Sequence, residues 1–359
     1  MTTTIPANVT AARAQVSASD YYALGYLTLS IASYYMDAQG APAPADLIGG
    51  IDSQFSNPGT WQLEWGPAVS SHDANLLYVA SYRDQASNLP IFAAVVLRGT
   101  DIHTGLWGIL SQLKEDLGGG TQQAWPSGGA KIAAGTYSGM NEMLSLQAGG
   151  QTLVEFLGTF LPQYPGVPLV VTGHSLGGCL TSAIALDLAS QPACSGVTIV
   201  PVTFAAPTAG NPDYVALYTK TFPSCVRWFN TWDLVPMAFV DMQNMDNAWG
   251  QGIYTNNPLS PFRNCNAPMG GTAHAIVAGI QSDVDANQWA HEQGSFERAL
   301  NGQCLATSGS SADENWYSEL LLQHLPACGY WTLMTKQYGS TLGPVTYPSW
   351  APPLNCTGA

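Results

Sequence analysis

Between residues 151 and 230 the chain alternates two hydrophobic rhythms. Apolar positions recur at helical spacing over 152–161, 176–189 and 213–221, while short runs at 168–172, 197–204 and 226–230 are nearly continuous in apolar residues. A brief unbroken apolar run suits a strand buried on both faces, and the 3.6-residue stripes suit helices that cover it. The alternation predicts a mostly parallel sheet flanked by helices, an α/β architecture. Upstream, strands are expected over 61–65, 76–82 and 91–97, separated by turn-rich Asn57-Pro58-Gly59 and Ser87-Asn88-Leu89-Pro90. A helix capped by Ser19 or Asp20 is expected over 21–36. Beyond Asp241 the rhythm fades until a helical stretch at 316–322, and the proline-rich tail from 339 to 359 has little periodicity. No internal repeat is visible, and one domain over 1–359 is the expectation.

One of these junctions carries chemistry. The run Leu169-Val170-Val171-Thr172 leads into Gly173-His174-Ser175-Leu176-Gly177-Gly178, after which Leu180, Ile184 and Leu188 share one helix face. Gly-x-Ser-x-Gly alone is a weak signal, but a strand, a tight turn and a helix around it form the setting of a nucleophile elbow. A serine at a helix N-terminus lies beside backbone N–H groups that stabilise an oxyanion, here that of Leu176. Its hydroxyl needs a histidine to remove the proton and a carboxylate to orient that histidine. Asp233 follows the strand at 226–230 and so falls at the C-terminal edge of the sheet, where such folds gather their sites. Asp187 lies within the helix after the turn, and Asp241 and Asp246 lie in a polar loop. In the order Ser, Asp, His, three histidines follow Asp233: His274, His291 and His324.

Four ordered segments give the chain a resemblance to the class 3, or fungal-type, lipases of the α/β-hydrolase superfamily. They are Val95-Val96-Leu97-Arg98-Gly99-Thr100, the Gly-His-Ser-Leu-Gly-Gly turn, Thr203-Phe204-Ala205-Ala206-Pro207-Thr208-Ala209-Gly210-Asn211, and Asn230-Thr231-Trp232-Asp233-Leu234-Val235-Pro236. The resemblance implies a serine carboxylic-ester hydrolase acting on an apolar acyl substrate at a lipid–water interface. It implies Ser175 as nucleophile, Asp233 as acid, and Thr100 with Leu176 as oxyanion donors. The Gln323-His324 pair and the aromatic residues Tyr330 and Trp331 resemble the closing segment of bacterial relatives and favour His324 as base. His291 is the alternative, followed by a glycine and an aromatic residue as in some relatives. The family's lid corresponds to residues 101–120, where a short apolar helix at 105–117 stands before Gly118-Gly119-Gly120. Residues 242–314 exceed the family's usual acid-to-base connection and suggest a cap over the acyl pocket. Where relatives often carry His-x-Gly-Phe, this chain has Ala133-Ala134-Gly135-Thr136-Tyr137. Acyl transfer would use the same triad, and a noncatalytic binding protein on this fold is the competing class.

Composition narrows the partners. Hydrophobic residues make up 46% of the 359 positions and charged ones 9%, yet no apolar run reaches the roughly 18 residues of a membrane span. Ten Lys and Arg against 24 Asp and Glu give a net charge of −14, which repels polyphosphates, so nucleic acid is not an expected partner. No cofactor or metal site is suggested, since the seven cysteines include no Cys-x-x-Cys pair. Their number and the scarcity of basic residues favour a secreted or periplasmic protein, although residues 1–18 lack the pattern of a signal peptide; the cytoplasm is the alternative. Cys194 and Cys225 each precede a strand, and a disulfide between them is expected if those strands are neighbours. Cys179 is expected to remain a buried thiol, with Cys265, Cys304, Cys328 and Cys356 left to pair among themselves.

Overall fold

The computed structural model describes residues 5–16, 19–37, 42–51, 53–56, 58–70, 75–98, 121–240, 289–290, 296–303, 305 and 321–349. Thr100, the expected lid, His291, most of 242–314 and the tail beyond 349 lie outside these residues. The sheet has seven strands among them. Strands β1 (Gly59–Val69), β2 (Leu76–Asp84) and β3 (Pro90–Leu97) pair antiparallel. From β3 onward, β4 (Leu169–His174), β5 (Ile199–Phe204), β6 (Val226–Asn230) and β7 (Phe296–Leu300) follow in spatial order, all parallel.

Both faces are covered. Leu77, Val79, Ala93, Val95 and Leu97 point to one side, with α3 (Ala134–Ser145), α4 (Leu153–Phe160), α5 (Leu176–Ser190) and α6 (Pro212–Thr221). The alternate residues Leu76, Tyr78, Ala80, Phe92, Ala94 and Val96 point to the other, with α1 (Ala7–Val16), α2 (Ala23–Ala32) and α7 (Thr332–Tyr338). The period of two along each strand thus feeds two cores, which is why β3 and β4 read as unbroken apolar runs. Each fully buried large side chain contributes about 1.5–3 kcal/mol. Helix α4 is started by a capping box, Thr152 accepting from the Glu155 N–H while Glu155 accepts from the Thr152 N–H.

Three features depart from the sequence reading. Residues 7–16 are helical although their apolar stripe is narrow, because Val9, Ala12 and Val16 are buried and Arg13 anchors the helix. The Arg13 guanidinium donates to the Pro90 carbonyl at 2.8 and 3.1 Å and to the Pro165 carbonyl at 2.9 Å. Strand β1 runs through Gly66-Pro67, which an edge strand tolerates because a proline there need not donate to a neighbour. Strand β7 falls within the range expected to form a cap, yet pairs with β6 from Val226↔Phe296 to Asn230↔Leu300. Its Glu297 and Arg298 break the apolar run that marks the inner strands.

The expected Cys194–Cys225 disulfide is not formed. Strands β5 and β6 are neighbours, but their register pairs Val226 with Val202 and so sets Cys225 level with Pro201. Cys194 lies in the 3-10 turn Pro192–Cys194, before the loop that leads to Ile199, and is out of register with it. Cys179 is likewise outside any disulfide, its Sγ 3.5 Å from Thr136 Oγ1, whereas Cys328 is disulfide-bonded.

Candidate active site

At the end of β4 the chain turns sharply into α5, and Ser175 stands at the corner with φ +60° and ψ −130°. A side chain with a Cβ is held there at a cost of about 1–3 kcal/mol, so the neighbours must allow no other path. They do. The Ser175 N–H donates to the Phe204 carbonyl at 2.9 Å, and its own carbonyl accepts from the Cys179 N–H at 3.1 Å. A Cβ on Gly173 would collide with the Gly177 backbone and the Leu97 carbonyl, and one on Gly178 with Ala206 and the Phe204 carbonyl. The glycine spacing is therefore a packing requirement of the turn. Leu176 is the first residue of α5, and helix geometry leaves its N–H without an intrahelical acceptor, beside the Ser175 hydroxyl.

Asp233 arrives from the C-terminal end of β6, and His324 from a helical segment at 321–324 far along the chain. The structure brings the three together: His324 Nε2 lies 2.9 Å from Ser175 Oγ, and His324 Nδ1 lies 2.9 and 3.1 Å from the two Asp233 oxygens. A carboxylate only accepts, so Nδ1 carries the proton and Nε2 is left to accept from the serine hydroxyl. Ser175, Asp233 and His324 are each at most 1% exposed. His291 and Thr100 lie outside the described residues. Asp187 is engaged elsewhere, accepting from Gln191 at the end of α5.

A second layer holds this line in place. Tyr330 donates to Asp233 Oδ2 at 2.8 Å and accepts from the Asn230 N–H at 3.2 Å. Burial foremost, and then the Asp233 charge, push the Tyr330 phenol well above its usual pKa, so it remains a donor. The Val235 N–H donates to the other carboxylate oxygen at 3.0 Å. The Asn230 side chain donates to the Gln323 carbonyl and side-chain oxygen at 3.0 and 2.6 Å, and Gln323 in turn donates to the Gln303 carbonyl at 2.7 Å. Residues 326–331 then make a wide helical turn, in which the Tyr330 N–H reaches back to the Leu325 carbonyl at 3.3 Å. That turn returns Tyr330 to Asp233. Sequence reading noticed Gln323 and Tyr330 only as parts of a motif, and it missed the bonds that Asn230 makes.

Residues 94–242 match the family model described as lipase (class 3). Over these residues the chain is similar to the class 3 lipases. The matched segment runs from within β3 past Asp233, so it holds Ser175 and Asp233, while His324 lies beyond its end. A lipase of Caenorhabditis elegans is 28% identical over 116 residues, and the match spans 32% of this chain and 32% of that relative's length. The crystal structure of M37 lipase superposes over 86% of this chain and 91% of its own, with a TM-score of 0.65 and 20% identity, a likeness of fold. A triacylglyceride lipase of Rhizomucor miehei aligns more loosely, over 59% of this chain and 71% of its own, at a TM-score of 0.43 and 23% identity. The matched segment thus sits inside the larger seven-stranded sheet, whose other face α1, α2 and α7 cover.

Proposed function

We propose that the protein is a serine carboxylic-ester hydrolase, a lipase that acts on apolar acyl esters such as acylglycerols. The observation that carries this reading is the unbroken hydrogen-bond line from Ser175 through His324 to Asp233, two members of which stand in a class 3 lipase segment. Ser175 Oγ attacks the ester carbonyl as His324 Nε2 takes its proton, and the Leu176 N–H faces the developing oxyanion. Thr100, which directly follows Arg98-Gly99 after β3, is the second proposed donor on sequence grounds. Collapse expels the alcohol, which takes the proton from His324, and leaves an acyl-enzyme. Water then gives a proton to His324 as it attacks the acyl carbon, and the proton returns to Ser175 as the acid leaves. Asp233 stabilises the imidazolium in both halves. No cofactor enters these steps.

Ser175 is buried, at 1% exposure. That supports a substrate met at a lipid–water interface, with turnover rising when the ester aggregates. A shared sheet for all seven strands supports one domain, and the Cys328 disulfide supports an oxidising, extracellular or periplasmic location. The test is hydrolysis of p-nitrophenyl esters of increasing acyl length, with fluorophosphonate labelling of the folded protein. Ser175→Ala and His324→Ala are each expected to lower kcat at least about 1,000-fold without unfolding, and His291→Ala to leave it within about twofold. A folded protein that forms no adduct at Ser175 is not this enzyme.

A further inference from the structure

His174, next to the proposed nucleophile, is fully buried. Its Nε2 lies 2.7 Å from the backbone carbonyl of His324. A carbonyl only accepts, so Nε2 carries a proton and donates it. Burial first, then the neighbouring His324, hold the His174 pKa well below the usual histidine value, and the ring is neutral. Nδ1 is then an acceptor. Tyr34, in the turn that follows α2, has its hydroxyl 3.3 Å from that nitrogen and 3.4 Å from the His174 carbonyl. The His174 ring stands 4.8 Å from the His324 ring, edge-on to Tyr330 at 5.7 Å and to Tyr34 at 6.1 Å.

We propose that His174 is a positioning residue for the base: its Nε2–H clamps the main chain of His324, and the Tyr34 hydroxyl supports the ring from its Nδ1 side. The proposal rests on the Ser175–His324–Asp233 reading and adds the element that fixes where the imidazole sits. Asp233 orients the ring from its Nδ1 side, and Tyr330 and Asn230 hold Asp233 and Gln323. The backbone from which the ring hangs is fixed by His174. The opposite tautomer, with the proton on Nδ1, would face the His324 carbonyl with a lone pair and lose the clamp. The His324 carbonyl, which can only accept, excludes it, and the Tyr34 hydroxyl can then donate to Nδ1. Neutrality matters as well, because a cation this close to His324 would oppose formation of the imidazolium that each half-reaction needs. The clamp also ties the two ends of the site together. His174 lies one residue before Ser175, so the base segment is indexed to the same strand end that carries the nucleophile, and Tyr34 brings in an N-terminal segment outside the class 3 lipase region.

The test is steady-state kinetics on a soluble p-nitrophenyl ester with His174→Leu, His174→Gln and Tyr34→Phe, each checked for fold by near-ultraviolet circular dichroism. His174→Leu is expected to lower kcat about 10- to 100-fold with KM within about twofold, since a misplaced base slows the chemistry rather than binding. The Gln variant, whose Nε2–H reaches the same carbonyl, is expected to recover at least about half of that loss on a logarithmic scale. Tyr34→Phe is expected to lower kcat about 3- to 10-fold, again at constant KM. A folded His174→Leu with kcat within twofold of wild type, or a folded Gln variant as slow as Leu, overturns the clamp. If His174→Leu does not fold, Tyr34→Phe decides, and an unchanged kcat there overturns it. Hydrolysis retained in Ser175→Ala would instead sink the triad itself, so the two failures are distinguishable.

Discussion

Ser175 keeps a backbone conformation that few residues with a Cβ adopt, and its surroundings are built to hold it. Gly173 illustrates the constraint. In Gly173→Ala the new methyl group meets main-chain atoms of Gly177 and Leu97, which cannot swing aside as a flexible side chain would. A loss of about 3 kcal/mol or more in urea unfolding is expected, together with reduced labelling of Ser175 by a fluorophosphonate. Tyr330 shows the other kind of dependence. Phenylalanine fills the same space, but leaves Asp233 Oδ2 without the phenol donor and the Asn230 N–H without its acceptor. Tyr330→Phe is expected to lose about 1–3 kcal/mol of stability and to lower kcat, measured by denaturant melts and ester hydrolysis on the same preparation.

Among the elements, those that touch no proposed substrate are still tied to the site. Asn211 caps α6 by accepting from the Tyr214 N–H at 3.0 Å, accepts from the Lys131 N–H at 2.8 Å and donates to the Gly129 carbonyl at 3.0 Å. One side chain thus fastens the end of the segment after β5 to the short strand Lys131–Ala133. Asn211→Ala is expected to cost about 2 kcal/mol, near the upper end for a helix cap because two further bonds go with it. Helix α1 depends in the same way on Arg13, whose guanidinium holds the start of β3 and the turn before β4. Arg13→Met keeps much of the buried stem and removes the bonds. Release of α1 by limited proteolysis, ahead of cleavage elsewhere, is the expected result.

For the molecule as a whole, the buried His174 links stability to pH. Its folded pKa is depressed, so below the ordinary histidine value of 6.5 the unfolded chain takes up the proton first and stability falls with falling pH. This contribution is intact above about pH 6.5 and is lost below it by up to about 1.4 kcal/mol per pH unit. Urea midpoints measured against pH should show that slope in wild type and a shallower one in His174→Gln. The thiols supply a second check. Burial, aided by Asp187, pushes the Cys194 pKa up to about 11, which makes this thiol slow to alkylate in the folded protein. After denaturation without reductant it is expected to carry the label by mass spectrometry, and a Cys194–Cys225 peptide would contradict the structure.

Some of this was determined by the sequence alone. Period-two burial and 3.6-residue stripes are local consequences of strand and helix geometry, so β3 to β6 and the helices between them could be read from spacing. The elbow was equally local, because its glycines are demanded by contacts within a few residues and by adjoining strands. Asp233 followed from its place at a strand end. Only the tertiary structure brought His324 to Ser175, since neither pattern nor spacing fixes where a segment so far along the chain returns. Strand β7 and helix α1 also waited for it, the first because edge strands carry charges, the second because an arginine rather than an apolar stripe docks it. The disulfide failed for a related reason: adjacency of two strands was legible, but register is a property of the assembled sheet. His174 sums up the difference, a residue whose neighbourhood to Ser175 is written in the chain and whose hold on His324 exists only in the fold.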